Sequence, residues 1–154
     1  MSTNYTLMNK QLRSLLEGES NPISILSNVS ALLNENLTNI NWVGFYLYHP
    51  EHNELQLGPF QGKVACMHIP MNRGVCGVAA HNRKTYRVPN VHEFEGHIAC
   101  DSASNSEIVI PILVHDSIYG VLDIDAPIFD RFREEDQSGL EESMRILQHH
   151  LSNI

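Results

Sequence analysis

The sequence predicts an α+β fold: a mostly antiparallel central sheet, helices from both chain ends on one face, and loops on the other. Three observations predict it. Apolar residues recur at helical spacing near both ends of the chain. The runs between them are β-branched and aromatic. These runs are joined by turns too short for the long crossovers that parallel pairing needs. At 154 residues and 42% hydrophobic content, the chain fits one domain spanning 1–154 with material for one core.

In order, Leu7, Leu12, Leu15 and Leu16 form a short helical stripe that stops near Gly18. Asn21-Pro22 opens a second helix, because Asn caps well and Pro suits the first helical position. Ile25, Leu26, Val29, Leu32 and Leu33 continue it to about Glu35. Ile40 to Tyr48 reads as a strand, turned by His49-Pro50-Glu51-His52-Asn53 into a partner that starts at Glu54. Gly58-Pro59-Phe60-Gln61-Gly62 is expected to end or kink that partner. Cys66 to Ile69 reads as a short third strand, Arg73 to Gly77 opens a small helix over about Val78–Asn82, and Thr85 to Val88 is another strand. Pro89 to Ser106 is long and irregular, but Val91, Phe94 and Ile98 suggest that it packs; loops of this length are usually functional. Glu107 to Val114 is a strand with Pro111 at an edge or bulge, and Ile118 to Asp125 returns as its hairpin mate. Leu140, Met144, Leu147 and Leu151 share one face of a last helix, which serves the core or a homodimer.

The net charge of -8 argues against nucleic acid or an anionic membrane surface as partner. No apolar run reaches membrane-spanning length, and the first residues lack the basic and apolar regions of a secretion signal. The expected location is the cytoplasm, where thiols rest reduced. The cysteines number three, an odd count that suits redox chemistry, metal binding or burial better than a static disulfide framework.

The candidate chemistry centres on Gly96-His97-Ile98-Ala99-Cys100-Asp101, a polar loop segment leading into a strand. Cys100 is a candidate redox nucleophile, and Cys66 and Cys76 are possible partners. Cys76 near a helix start has a position that can lower a thiol pKa. Alternation puts Asp123 and Asp125 on one sheet face, and Glu107 begins the neighbouring strand. Carboxyls crowded in a partly dry pocket cannot all ionise, so one should stay protonated and serve as an acid. The remaining negative charge suits an ammonium group. Trp42 and Tyr46 are spaced to share a face. Cys66, His68, His92, His97 and Cys100 are soft metal ligands, but their spacing matches no zinc pattern, and no metal is expected.

Asn41–Tyr46, Gly58–Lys63, Gly74–Gly77, Gly96–Asp101, Ser106–Val109 and Gly120–Asp125, in this order and with all three cysteines, resemble the free methionine-(R)-sulfoxide reductase family, which is built on a GAF domain. The resemblance covers about residues 40–140. It implies reduction of free L-methionine-(R)-sulfoxide to methionine, with Cys100 as nucleophile and Cys66 as resolving thiol; Cys76 stays a rival for either role. It places Trp42 against the substrate's methyl group, names thioredoxin as reductant, and calls for no organic cofactor. A GAF module that binds a small molecule without catalysis is the alternative.

Overall fold

In the computed structural model, residues 2–98, 100 and 102–154 are described; Met1, Ala99 and Asp101 lie outside that set, so the Gly96–Asp101 motif is described in part. The elements are α1 (Tyr5–Leu16), α2 (Pro22–Asn36), β1 (Trp42–His49), β2 (Glu54–Gly62), β3 (His68–Pro70), α3 (Gly74–Asn82), β4 (Tyr86–Val88), a 3-10 turn (Val91–Glu93), β5 (Ser106–Val114), β6 (Ser117–Ala126) and α4 (Glu134–Leu151). Capping explains the first boundaries. The Asn4 side chain accepts from the Leu7 N–H, and that of Asn21 accepts from the Ile23 N–H one residue before Pro22 begins to turn.

Six strands form one sheet in the order β3-β2-β1-β6-β5-β4, and every neighbouring pair is antiparallel. The sheet separates two apolar clusters, where the composition had suggested one core. Phe45, Ile108, Ile110, Leu122 and Ile124 point toward α1, α2 and α4. Leu140, Met144, Leu147 and Leu151 of α4 are spent in this layer, so that face belongs to the core. Trp42, Tyr46, Val109 and Val121 point to the opposite side, where Val75, Cys76, Ala79 and Ala80 of α3 cover them.

Several boundaries differ from expectation for local reasons. The second strand is not ended by Gly58-Pro59 but runs through to Gly62. The register shifts there, with Gly44 opposite Phe60 and Tyr46 opposite Leu57, so two residues of β2 face one of β1 in a bulge. Pro111 lies in β5 beyond the residues that β4 pairs, Glu107 to Val109, so its missing N–H costs no ladder bond on that side. Cys66 precedes β3 and is free of its ladder, and α3 starts at Gly74, which places Cys76 inside its first turn.

Gly77 fixes how closely α3 approaches β3. A Cβ there would lie 2.4 Å from the Pro70 carbonyl oxygen. Alanine gains about 1 kcal/mol in helix propensity, but the clash is with backbone and cannot be relieved by a rotamer. Gly77→Ala is expected to cost about 1–3 kcal/mol net in urea unfolding; an unchanged or raised midpoint would show that α3 is not held this tightly.

Candidate active site

The register of the sheet assembles the polar groups. Trp42 on β1 pairs with Asp125 on β6, which pairs with Glu107 on β5. The next row on the same face is Gly44, Asp123 and Val109. Residues opposite one another have Cβ atoms about 5 Å apart, so three carboxyls from two strands crowd together beneath α3. They are not a solvated strand face: Asp123 is 5% exposed, Glu107 is 6% exposed and Asp125 is half-buried.

The third wall is made of sulfur. Cys66 and Cys100 are joined by a disulfide with Cα atoms 5.5 Å apart. Cys100 and the carboxyls border one cavity of about 40 Å3, lined also by Trp42, Tyr46, Cys76, His97 and Ser104. Cys76 remains a free, buried thiol and donates to Glu107 Oε2 at 3.9 Å. Each aromatic residue has a polar handle on the chain around Cys66. The Trp42 indole donates to the Lys63 carbonyl at 3.2 Å, and the Tyr46 hydroxyl donates to the Cys66 carbonyl at 3.0 Å. Trp42 stacks between Tyr46 and Phe60, with ring centroids 5.7 and 5.1 Å away.

Burial decides the protonation states. Glu107 is pushed well above the usual carboxylate range, first by desolvation and then by the charges of Asp123 and Asp125. Burial also raises Asp123, against the opposing pull of donors on Glu107, Asp125 and Cys76. The proton of this group therefore rests on Glu107. Cys76 departs from expectation. The helix start does not lower its thiol; burial pushes it well above the ordinary value, and Asp123 and Glu107 push it further.

All eight candidate side chains from the sequence gather here, since Tyr46 and Cys66 are tied by their hydrogen bond and the others line the cavity or join it through the disulfide. The soft ligands do not converge: Cys66 and Cys100 are bonded to each other, His68 pairs with Glu54 at 3.0 Å, and His92 pairs with Asn105 at 2.9 Å. His97, weighed among the soft ligands, has its Nε2 3.9 Å from Glu107 Oε1 inside the cavity wall. Its pKa is lowered, chiefly by burial and then by His92, so the ring is neutral at neutral pH. Ser104 was missed. It is 6% exposed and accepts from Asn41 Nδ2 at 3.1 Å, and a lone serine in a polar loop carries no signal that would single it out. Arg73, just before α3, is exposed and caps the helix by its backbone alone.

Known proteins match this architecture. The GAF domain model matches residues 21–148. The free methionine-R-sulfoxide reductase of Escherichia coli K12 is 51% identical over 144 residues, covering 94% of this chain and 86% of the relative. A structure of fRMsr of Staphylococcus aureus in complex with substrate superposes with a TM-score of 0.93 at 58% identity, covering 98% of this chain and 97% of that one. The free methionine-R-sulfoxide reductase of Neisseria meningitidis in complex with its substrate gives 0.93 at 39% identity, covering 97% and 90%. The chain is a GAF domain and, within that class, belongs to the free methionine-R-sulfoxide reductase family.

The protonation of Glu107 has a measurable consequence. Its folded pKa lies above its unfolded value, so the folded state binds more protons between the two. Stability is full below the unfolded value, about 4.3, and falls as pH rises through the folded one. Glu107→Gln removes this titration. The melting temperature of the variant relative to wild type is expected to rise between pH 5 and pH 8. A difference that stays constant would mean that Glu107 is ionised throughout.

Proposed function

We propose that this chain reduces free L-methionine-(R)-sulfoxide to L-methionine by thiol chemistry at the cavity beneath α3. The thiolate of Cys100 attacks the sulfoxide sulfur while Glu107 gives its proton to the oxygen. The protonated oxygen leaves the substrate sulfur and passes to the Cys100 sulfur as the transient bond between the two sulfurs breaks, so methionine departs with two more electrons at sulfur and Cys100 is left as a sulfenic acid. The Cys66 thiol condenses with it, releasing water and forming the disulfide. A dithiol protein of the thioredoxin type then restores both thiols by exchange, so electrons balance without an organic cofactor. Asp123 and Asp125 receive the α-ammonium of the substrate, and Trp42 packs against its S-methyl group, a favourable sulfur–aromatic contact.

The observation that supports this most is the Cys66–Cys100 bond at the edge of the cavity that also holds the protonated Glu107. The likeness to the reductases of Escherichia coli and Neisseria meningitidis supports the substrate. Cavity size fits the same cycle. At about 40 Å3 it holds roughly three waters, far less than an amino acid needs. In this cycle the disulfide form follows product release, and its reduction precedes entry of the next substrate.

The direct test is turnover of both free epimers and of a peptide sulfoxide with a thioredoxin system. Consumption of the free R epimer alone is expected; none at all would leave a binding module without catalysis. Cys100→Ser should lower the rate by at least about a thousandfold, since the nucleophile has no substitute. Cys66→Ser should release one methionine per enzyme in a single turnover and then stall with thioredoxin. Sustained cycling of that variant would move resolution to Cys76.

A further inference from the structure

The disulfide joins two sulfurs with different surroundings. Cys100 borders the cavity that holds Glu107, Asp123 and Asp125. Cys66 is half-buried on the segment between β2 and β3, with Val64 and Met67 exposed on either side of it. We propose that this Val64–Met67 edge is the docking surface for the thioredoxin-type dithiol protein that reduces the disulfide, and that the partner's thiolate attacks the sulfur of Cys66. The proposal deepens the reductase reading above and rests on it for the partner's role in the cycle.

Val64 is 86% exposed, more than any other large apolar side chain among the described residues, and Met67 is 65% exposed. Apolar side chains scattered singly over a surface carry no meaning, but two that bracket a reactive sulfur form a patch. The segment that displays them is held from within by three of its carbonyls. That of Lys63 accepts from the Trp42 indole at 3.2 Å, that of Cys66 from the Tyr46 hydroxyl at 3.0 Å, and that of Met67 from the Leu57 N–H at 3.0 Å. The backbone is therefore ordered before a partner arrives, and little ordering entropy opposes docking. Met67 suits the contact because an unbranched thioether adapts to the surface it meets.

Exchange chemistry selects both the occupant and the sulfur. The attacking thiolate must approach Cys66 in line, from the side opposite Cys100. Attack on Cys100 would instead bring an anion toward the cavity carboxyls. Around Cys66 that repulsion is missing: from Gln61 to His68 there is no acidic residue, and Lys63 is positive, in a chain of net charge -8. Glu54, across the β2–β3 ladder, is engaged by His68 at 3.0 Å. As the partner's sulfur bonds to Cys66, the bond between Cys66 and Cys100 breaks, and Cys100 leaves with the electron pair and takes a proton from solvent. The partner's second thiol then attacks the partner's own sulfur in the mixed disulfide, which oxidises the partner and releases Cys66 as a thiolate.

The test uses the full chain in its disulfide form and no sulfoxide, so its outcome does not depend on reductase turnover. A thioredoxin whose second active-site cysteine is replaced by serine should be trapped as a mixed disulfide on Cys66, located by peptide mass mapping. Trapping on Cys100 would overturn the proposal. Val64→Ser combined with Met67→Ser should lower the rate constant for reduction by intact thioredoxin at least about fivefold, the scale of anchor residues in an interface. Reduction by dithiothreitol, which needs no docking surface, should keep its wild-type rate. A loss of equal size with both reductants would place the effect on the disulfide itself and would overturn the proposal, as would a smaller loss with thioredoxin. Normal exchange kinetics in a chain that turns over no sulfoxide would sink the reductase reading and leave the docking surface standing.

Discussion

Three carboxyl groups sit out of water because the pairing of β1, β6 and β5 leaves them no other face. Trp42, Asp125 and Glu107 lie in one row across the strands, and Asp123 lies in the next. Alternate residues of the same strands, Ile108, Leu122 and Ile124, fill the helix-side core. A slip of one residue would exchange the two sets and place acids among leucines. The apolar core therefore fixes the position of the acids, and the desolvation that raises the pKa of Glu107 follows from the register that packs the other side.

The rest of the site is arranged around that dry acidic patch. Gly77 lets α3 lie close enough to β3 to roof it, which brings Cys76 against Glu107 and pushes both groups toward their neutral forms. Trp42 and Tyr46 rise from the same face and hold the chain near Cys66 by hydrogen bonds to main-chain carbonyls. A neutral Glu107 also answers an electrostatic difficulty: a thiolate near several ionised carboxylates is unfavourable, and each proton retained reduces the repulsion.

Much of this was legible in the sequence where one physical signal decided the outcome. Helical spacing marked α1, α2 and α4, and the Asn21-Pro22 cap marked the start of α2. Strict alternation put Asp123 and Asp125 together, and the thiols stood out by chemistry. What was not legible depends on contacts distant in sequence. Gly58-Pro59 resembles a strand stop, yet the bulge opposite Phe45 absorbs it. Cys76 resembles a helix-start thiol with a lowered pKa, but the acids that reverse the shift come from β5 and β6. His97 and Ser104 gain a place in the cavity wall from loop packing that no local pattern encodes.

The chemistry of the site depends on Glu107 keeping its proton at neutral pH, and its side-chain carboxyl can be observed directly. Carbon-13 NMR of protein labelled at glutamate carboxyls, with Glu107 assigned by comparison with Glu107→Gln, should show its resonance in the protonated position at pH 7 and moving only at higher pH. A resonance that titrates near the ordinary glutamate value would mean that Glu107 is ionised at neutral pH and is not the proposed proton donor.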